Sequence, residues 1–206
     1  MIQTVNPAKS QFILGGQRSG KSRRAELLAR DWLVQSPNHR AVMIATATAW
    51  DDEMAERIAR HQRDRKERVP GMTTVEEPQA LAHAIQTHST PQTMVVVDCL
   101  TLWLTNLLMP HDDAENTEDT ENSAKIASKE PVAQSIQTQA ATLLIAIEGA
   151  AGPVVLVGNE IGLGVVPMGR ETRAFVDALG RLNQDVAAAC ERVTFMAAGL
   201  PLVLKG

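Results

Sequence analysis

Residues 12–28 read FILGGQRSGKSRRAELL: an apolar run enters a glycine-rich turn and continues as a helical pattern. Glycines let backbone N–H groups curl around phosphate oxygens, and the positive end of the following helix attracts the same charge. The turn matches G-x-x-x-x-G-K-[S/T] in full, so it predicts a nucleoside triphosphate site and not a turn that only caps a helix. The predicted nucleotide contacts within it are Gly15, Gly16, Gln17, Arg18, Ser19, Gly20, Lys21 and Ser22.

The last residues of this turn carry chemistry as well as binding. Lys21 supplies a mobile cation for the terminal phosphates, which makes it a catalytic candidate, and Ser22 offers a hydroxyl to Mg²⁺. A carboxylate is expected where a neighbouring strand ends, and Asp98 ends the apolar run VVVD. The alternative role for Asp98 is to cap the next helix. We predict a Mg²⁺ site formed by Ser22 and Asp98.

Continuous apolar runs alternate with helical patterns along the chain. Such runs are typical of strands that are covered on both faces, as in a parallel sheet. The alternation predicts an α/β fold, a doubly wound, mostly parallel sheet of the P-loop nucleotide-binding type. After a turn at Gly199, residues 200–206 can add an antiparallel edge strand. The predicted strands are 11–15, 41–46, 93–99, 153–158 and 193–197, and the predicted helices are 21–34, 52–67, 78–87, 132–149 and 171–191.

The composition indicates a cytoplasmic globular protein. The chain has 206 residues, 44% of them hydrophobic, and a net charge of −4, without the basic excess of a nucleic-acid binder. No apolar run is long enough to span a membrane, and the N-terminus lacks the apolar core of a signal peptide. Cys99 ends a strand pattern and Cys190 lies in a helix pattern, so we expect buried, reduced thiols.

We expect a single domain over residues 1–206 with a mobile acidic loop at residues 110–131. This stretch holds seven acidic residues, two lysines and one large aliphatic residue. It cannot bury enough apolar surface to offset the entropy that ordering would cost. A solvated insertion is favoured over an acidic docking element.

A histidine lies in the helical pattern that follows the second strand, TATAWDDEMAERIARHQRDR. Acidic residues at 51–53 mark the helix start, where negative charge is favoured. Steps of four residues put Arg57, His61 and Arg65 in one row. An imidazole close to nucleotide phosphates can act as a nucleophile, whereas the alternative for His61 is a partly buried structural histidine.

Six segments of the chain resemble one family. In chain order they are GGQRSGKSRRAE, IATATAWDDEMAERIARHQRDR, TTVEEP, VVVDCLTLWLTNLL, VGNEIGLGVVP and GRLNQDVA. This order is similar to that of the bifunctional adenosylcobinamide kinase / adenosylcobinamide-phosphate guanylyltransferases of cobalamin biosynthesis. The resemblance runs from about Phe12 to the C-terminus, and only the acidic stretch falls outside it.

The resemblance implies two reactions. A nucleoside triphosphate, ATP or GTP, phosphorylates the aminopropanol hydroxyl of adenosylcobinamide, and GTP then donates GMP to the new phosphate and releases pyrophosphate. The family passes GMP through a histidine, and its R-I-x-x-H pattern falls on residues 57–61, which makes His61 the second catalytic candidate. The family also implies a homo-oligomer, with a trimer as one form. Its further nucleotide contacts fall on Thr46, Ala47, Thr48, Gln62, Arg63, Asp64, Arg65, Glu76 and Asp98, of which Glu76 and Asp98 bind either metal or guanosine.

Two other function classes compete with this one. A P-loop small-molecule kinase without nucleotidyl transfer would not need His61. A guanine-dependent switch that binds a partner would be expected to carry a base-recognition motif such as N-K-x-D, which the sequence lacks. In the segment NEIGLGVVP, Gly162 and Gly164 either make a tight turn or contact the corrinoid or a phosphate.

Overall fold

The computed structural model describes residues 8–49, 51–109 and 129–206, without the side chains of residues 129–133. Strands and helices alternate along most of the chain. The strands are β1 (Ser10–Gly15), β2 (Arg40–Ala45), β3 (Met72–Glu76), β4 (Thr93–Asp98), β5 (Val154–Asn159), β6 (Arg192–Ala197) and β7 (Leu200–Lys205). The helices are α1 (Lys21–Leu33), α2 (Asp52–Arg68), α3 (Leu81–His88), α4 (Leu100–Leu108), α5 (Lys129–Glu148) and α6 (Arg170–Ala189).

One sheet contains all seven of these strands, in the order β3-β2-β4-β5-β1-β6-β7. Neighbouring strands run parallel except β6 and β7, which form an antiparallel hairpin through a turn at Ala198 and Gly199. The doubly wound, mostly parallel sheet and its antiparallel edge strand are therefore confirmed. Strand β1, which leads into the glycine turn, lies inside the sheet between β5 and β6.

Alternate side chains of each central strand enter two separate cores. In β1, Phe12 and Leu14 pack with helices α3 to α6 on one face, and Ile13 packs with Ala25 and Trp32 of α1 on the other. These side chains are all buried. A strand that is covered on both faces needs apolar residues at every position, which is why these strands read as continuous apolar runs.

Two elements are absent from the predicted set. Strand β3 is an edge strand with half-exposed and exposed residues, so its sequence MTTVE forms no apolar run. Helix α4, LTLWLTNLL, is apolar on most of its surface and so has no clear helical period. The predicted loop at 110–131 lies outside the described residues up to position 128. Helix α5 begins at Lys129, so the last three positions of that range are helical.

The structure also bears on the two cysteines and on the search for a membrane-spanning helix. Cys99 and Cys190 are both buried free thiols, as predicted. Among the described residues, no helix has both the length and the apolar character that crossing a bilayer requires.

Candidate nucleotide-binding site

The glycine turn joins the end of β1 to the first turn of α1. Gly20 precedes the helix with φ of 98°, and Arg18 has φ of 57°, so the chain twice enters left-handed conformations to reverse direction. Gly15 is required by close packing: a Cβ there would lie 2.4 Å from the carbonyl oxygen of Met196 in β6. The motif therefore has the tight backbone geometry that a phosphate-binding loop needs.

The neighbouring strands hold the loop in place through backbone hydrogen bonds. Gly199 N–H, in the β6–β7 turn, donates to the carbonyl oxygen of Ser19 at 3.0 Å. Glu160 N–H, after β5, donates to the carbonyl oxygen of Gly15 at 3.1 Å. The hydroxyl of Ser19 is buried and has no hydrogen-bond partner among the described residues. Because a buried polar atom is normally paired, this hydroxyl is available to a phosphate oxygen.

Lys21 folds back over this loop. Its ammonium group donates to the carbonyl oxygen of Gly16 at 2.6 Å, and the side chain is buried. Burial lowers the pKa of Lys21, Cys99 and Asp98 act to raise it, and the charge of Arg57 lowers it. An ammonium group that has been partly removed from water gains more from an arriving phosphate than a hydrated one would.

Asp98 ends β4, but β4 is not the strand next to β1. Strand β5 lies between them, so the expectation of an adjacent strand is wrong by one position. Two strand spacings amount to about 10 Å, and Asp98 still acts on the pKa of Lys21 across that gap. Capping does not explain Asp98, because the residue at the N-cap of α4 is Cys99 and it makes no side-chain capping bond.

The hydroxyl of Thr46 forms hydrogen bonds with the backbone of Cys99. It donates to the carbonyl oxygen of Cys99 at 2.7 Å and accepts from Cys99 N–H at 2.9 Å. Asn106 donates to the carbonyl oxygen of Thr46 at 2.8 Å. Thr46 is fully buried, whereas Ala47 and Thr48 are half-buried beside it. The structure thus gives Thr46 an internal role, while Ala47 and Thr48 stay predicted nucleotide contacts.

Helix α2 begins with a capping bond, in which Met54 N–H donates to the carboxylate of Asp51 at 2.7 Å. The helix packs against α1. In its row of four-residue steps, Arg65 is buried against Glu26 of α1. The charge of Arg57 lowers the pKa of Lys21, the first residue of α1. Half-buried His61 lies between Arg57 and Arg65 on the same row.

The remaining predicted contacts divide between the helix and the far edge of the sheet. Gln62 donates to the carboxylate of Glu76 at 3.2 Å, while Arg63 and Asp64 are exposed. Glu76 ends β3, four strands from β1, a separation of about 19 Å at ordinary strand spacing. The structure therefore does not bring Glu76 to the phosphate loop. The guanidinium of Arg65 already binds groups within the protein, because it pairs with Glu26 and also donates to the hydroxyl of Thr74 at 3.1 Å.

Sequence reasoning missed two residues that hold these strand and helix ends. Thr101 accepts, on its hydroxyl, a hydrogen bond from Asn159 N–H at 2.9 Å. Glu26 is a carboxylate only 2% exposed that pairs with two arginines of α2. A detectable signal existed for Glu26, because it lies three residues before Ala29 and so borders the apolar face of α1. Nothing local marks Thr101.

The segment after β5 exposes apolar side chains. Val165 and Met168 are each 95% exposed, and Ile161, Leu163 and Val166 are exposed as well. A turn forms at Gly162 and Leu163, yet neither Gly162 nor Gly164 has a positive φ. The turn therefore does not depend on the conformational freedom of glycine. The segment starts beside the phosphate loop, through the bond from Glu160 to Gly15.

The profile of a family described as cobinamide kinase / cobinamide phosphate guanyltransferase matches residues 11–204. The chain belongs to this family. A relative from Pseudomonas aeruginosa, the bifunctional adenosylcobalamin biosynthesis protein CobP, is 43% identical over 195 residues, which cover 95% of this chain and 96% of the relative. The bifunctional adenosylcobalamin biosynthesis protein CobU of Escherichia coli is 35% identical over 194 residues, or 94% of this chain and 98% of that protein.

Membership of the cobinamide kinase / cobinamide phosphate guanyltransferase family confirms the resemblance and the enzyme class that it implied. A solved structure, the flagellar accessory protein FlaH from Methanocaldococcus jannaschii, matches with a TM-score of 0.48 at 10% identity, covering 96% of this chain and 78% of that one. The fold assignment does not rest on that similarity, because the strand order and the loop geometry of this chain establish it.

Proposed function

We propose that this protein catalyses both reactions of its family and that GMP passes through His61. The protein phosphorylates adenosylcobinamide with a nucleoside triphosphate, and it then forms adenosylcobinamide-GDP and pyrophosphate from GTP. One observation carries the proposal: His61 lies on α2 in a row with Arg65, which pairs with Glu26 of α1, the helix that begins at Lys21 of the glycine turn.

In the kinase step, the loop N–H groups and Lys21 bind the phosphates of the donor. Ser22 and Asp98 would hold Mg²⁺, because a hydroxyl and a carboxylate are hard oxygen ligands that suit it. Among the described residues no group of three His, Cys, Asp or Glu side chains forms a metal site, so phosphate oxygens and water would complete the coordination. The ion would supply charge neutralisation at the transferred phosphoryl group. Lys21 stabilises the same charge and orients the donor.

In the guanylyl step, an imidazole nitrogen of His61 attacks the α-phosphorus of GTP. The bond to the bridging oxygen breaks, and pyrophosphate leaves with that electron pair while a phosphoramidate forms on the imidazole. An oxygen of adenosylcobinamide phosphate then attacks the same phosphorus, which releases the imidazole and completes the diphosphate. Lys21 and Arg57 offset the charge that develops on pyrophosphate.

The corrinoid ring is proposed to bind the exposed apolar segment after β5. This segment begins at the phosphate loop and presents Val165 and Met168 almost fully to solvent. Val165→Ser and Met168→Ser should therefore raise the KM for adenosylcobinamide and leave the KM for the nucleotide unchanged. Val34→Ser is the matched control, since Val34 is 80% exposed after α1. Equal effects of the loop and control variants on the corrinoid KM would exclude this surface.

We also infer a cytoplasmic homo-oligomer, in which strand β7 is one candidate contact. Leu200, Leu202, Val203 and Leu204 of this edge strand are all more than half exposed, and edge strands with apolar surfaces favour association. Sedimentation equilibrium would give the subunit number, and a monomer at micromolar concentration would contradict this inference. ATP and GTP are both candidate donors for the kinase step, and single-donor assays would compare them.

The decisive test is incubation with GTP labelled at the α-phosphate. Wild type should retain an acid-labile, base-stable label, and His61→Ala should retain none while it still phosphorylates adenosylcobinamide. His83→Ala, on helix α3, is the matched histidine control and should label normally. Unlabelled wild type with intact phosphoryl transfer would favour a kinase without nucleotidyl transfer. Nucleotide binding without either transfer would favour a switch.

A further inference from the structure

We propose that Glu26 is a positioning residue for guanylyl transfer, a buried carboxylate that holds α2, and with it His61, against the helix of the phosphate loop. This inference rests on the proposed role of His61. It assigns no contact between Glu26 and the nucleotide. It predicts that the two activities of the protein respond differently when this carboxylate is changed.

The first observation is the ion cluster itself. Glu26 lies in α1, five residues after Lys21, and its side chain is 2% exposed. One carboxylate oxygen accepts a hydrogen bond from Nη1 of Arg68, and the other lies 3.7 Å from Nε of Arg65. The Arg65 side chain is only 8% exposed and also donates to Thr74 of β3. Glu26 therefore joins the C-terminal half of α2 to the centre of α1.

The second observation is the geometry of the row. His61 is four residues before Arg65, which is about one helical turn, or 6 Å, along α2. Helix α2 packs against α1, and both Arg65 and Arg68 reach the carboxylate of Glu26 in the centre of α1. The contact with Glu26 is therefore about one turn from His61. Holding that contact limits how far His61 can move relative to α1.

The electrostatics explain why this carboxylate is needed. Without Glu26, the guanidinium of Arg65 would stay buried without a countercharge, and α2 would move to hydrate it. A displacement of about 1 Å at a reacting group can reduce its rate about 100-fold. The phosphoryl transfer step depends on Lys21, Ser22 and Asp98, none of which lies on α2. The guanylyl step should therefore lose far more than the kinase step.

The experiment compares three variants of the full chain by single-turnover labelling with α-labelled GTP, by kinase rate and by thermal unfolding. Glu26→Gln should label His61 at least about 10-fold more slowly, with a kinase rate close to wild type. Glu26→Asp should recover part of the labelling rate. Glu67→Gln, a change at an exposed acid of α2, is the control and should behave as wild type.

Proportional loss of both activities in Glu26→Gln would overturn the proposal, and so would unchanged labelling. If Glu26→Gln does not fold, Arg68→Met provides the same test at a side chain that is 31% exposed. Wild type that fails to label would refute the proposed role of His61 itself. Normal labelling in both wild type and Glu26→Gln would refute only the role of Glu26.

Discussion

The hydroxyl of Thr46 satisfies both polar backbone groups of Cys99, with distances of 2.9 Å to the nitrogen and 2.7 Å to the oxygen. Cys99 directly follows Asp98, and Thr46 N–H in turn donates to the carbonyl oxygen of Asp98 at 3.1 Å. One side chain at the end of β2 therefore fixes the backbone that carries the predicted metal-binding carboxylate. This links a fully buried residue to the chemistry of the site.

Replacing Thr46 by valine should destabilise the protein by about 1–3 kcal/mol, because the backbone N–H of Cys99 would be buried without a partner, although its carbonyl oxygen would still accept from Trp103 N–H. The same change should raise the Mg²⁺ concentration needed for half-maximal kinase activity, since Asp98 would lose its support. Urea unfolding and a Mg²⁺ titration measure the two effects. Thr46→Ser keeps the hydroxyl and should stay near wild type; equal behaviour of valine and serine would contradict the prediction.

Gly15→Ala should damage the phosphate loop. The added Cβ would lie 2.4 Å from the carbonyl oxygen of Met196 and 2.7 Å from the hydroxyl of Ser19, at φ of 152°. Crowding of this kind costs about 1–3 kcal/mol, and the displaced loop should bind nucleotide more weakly. Gly16→Ala is a matched control for stability, because its Cβ would meet nothing within 4 Å. Calorimetric melting should separate the two variants, and equal melting temperatures would contradict this explanation.

Asp51→Ala should weaken the start of the helix that carries His61. Removing the capping bond to Met54 N–H typically costs about 1 kcal/mol, and the first turn of α2 should fray. Hydrogen exchange at the amides of residues 52–55 should accelerate, and His61 labelling should slow. Asp52→Ala removes a first-turn charge without removing the cap, so it should have the smaller effect. If both variants exchange alike, the cap does not anchor this helix.

The two thiols should make stability depend on pH in alkaline solution. Burial raises the pKa of Cys99 to about 11 and that of Cys190 to about 12, from 9.0. Raised pKa values mean that the folded state keeps its protons longer, so this stabilisation is complete below about pH 9 and is lost as pH rises towards 11 and 12. Urea unfolding at pH 8 and pH 10 should show a steeper loss for wild type than for the double variant Cys99→Ala/Cys190→Ala.

Thiol reactivity gives an independent check of that burial. At pH 8 both thiols should resist a disulfide reagent in the native state, because the reactive form is the thiolate and both groups are buried. Both should react within the mixing time once urea unfolds the chain. Rapid reaction of either thiol in native protein would contradict the pKa values above.

The strands and most helices could be predicted because their signals are local. Continuous apolar runs identified β1, β2, β4, β5 and β6. Strand β3 was not predicted because an edge strand of mixed exposure has no continuous apolar run. Helix α4 was not predicted because a helix that is apolar on most sides shows no clear 3.6-residue hydrophobic period. For the candidate site, the glycine turn joins β1 to α1 as expected, whereas Asp98 ends a strand one position further from β1 than expected.

The sequence by itself determined the parts that contiguous residues build. The glycines of the loop, Lys21 at the helix start and the spacing of Arg57, His61 and Arg65 follow from backbone geometry and the helical repeat. Only the tertiary structure decided that β5 separates β1 from β4, that Thr46 binds the backbone of Cys99 and that Glu26 holds α2. These contacts join residues 39 and 53 positions apart in the chain. They arise from how strands and helices pack, and no local pattern encodes that arrangement.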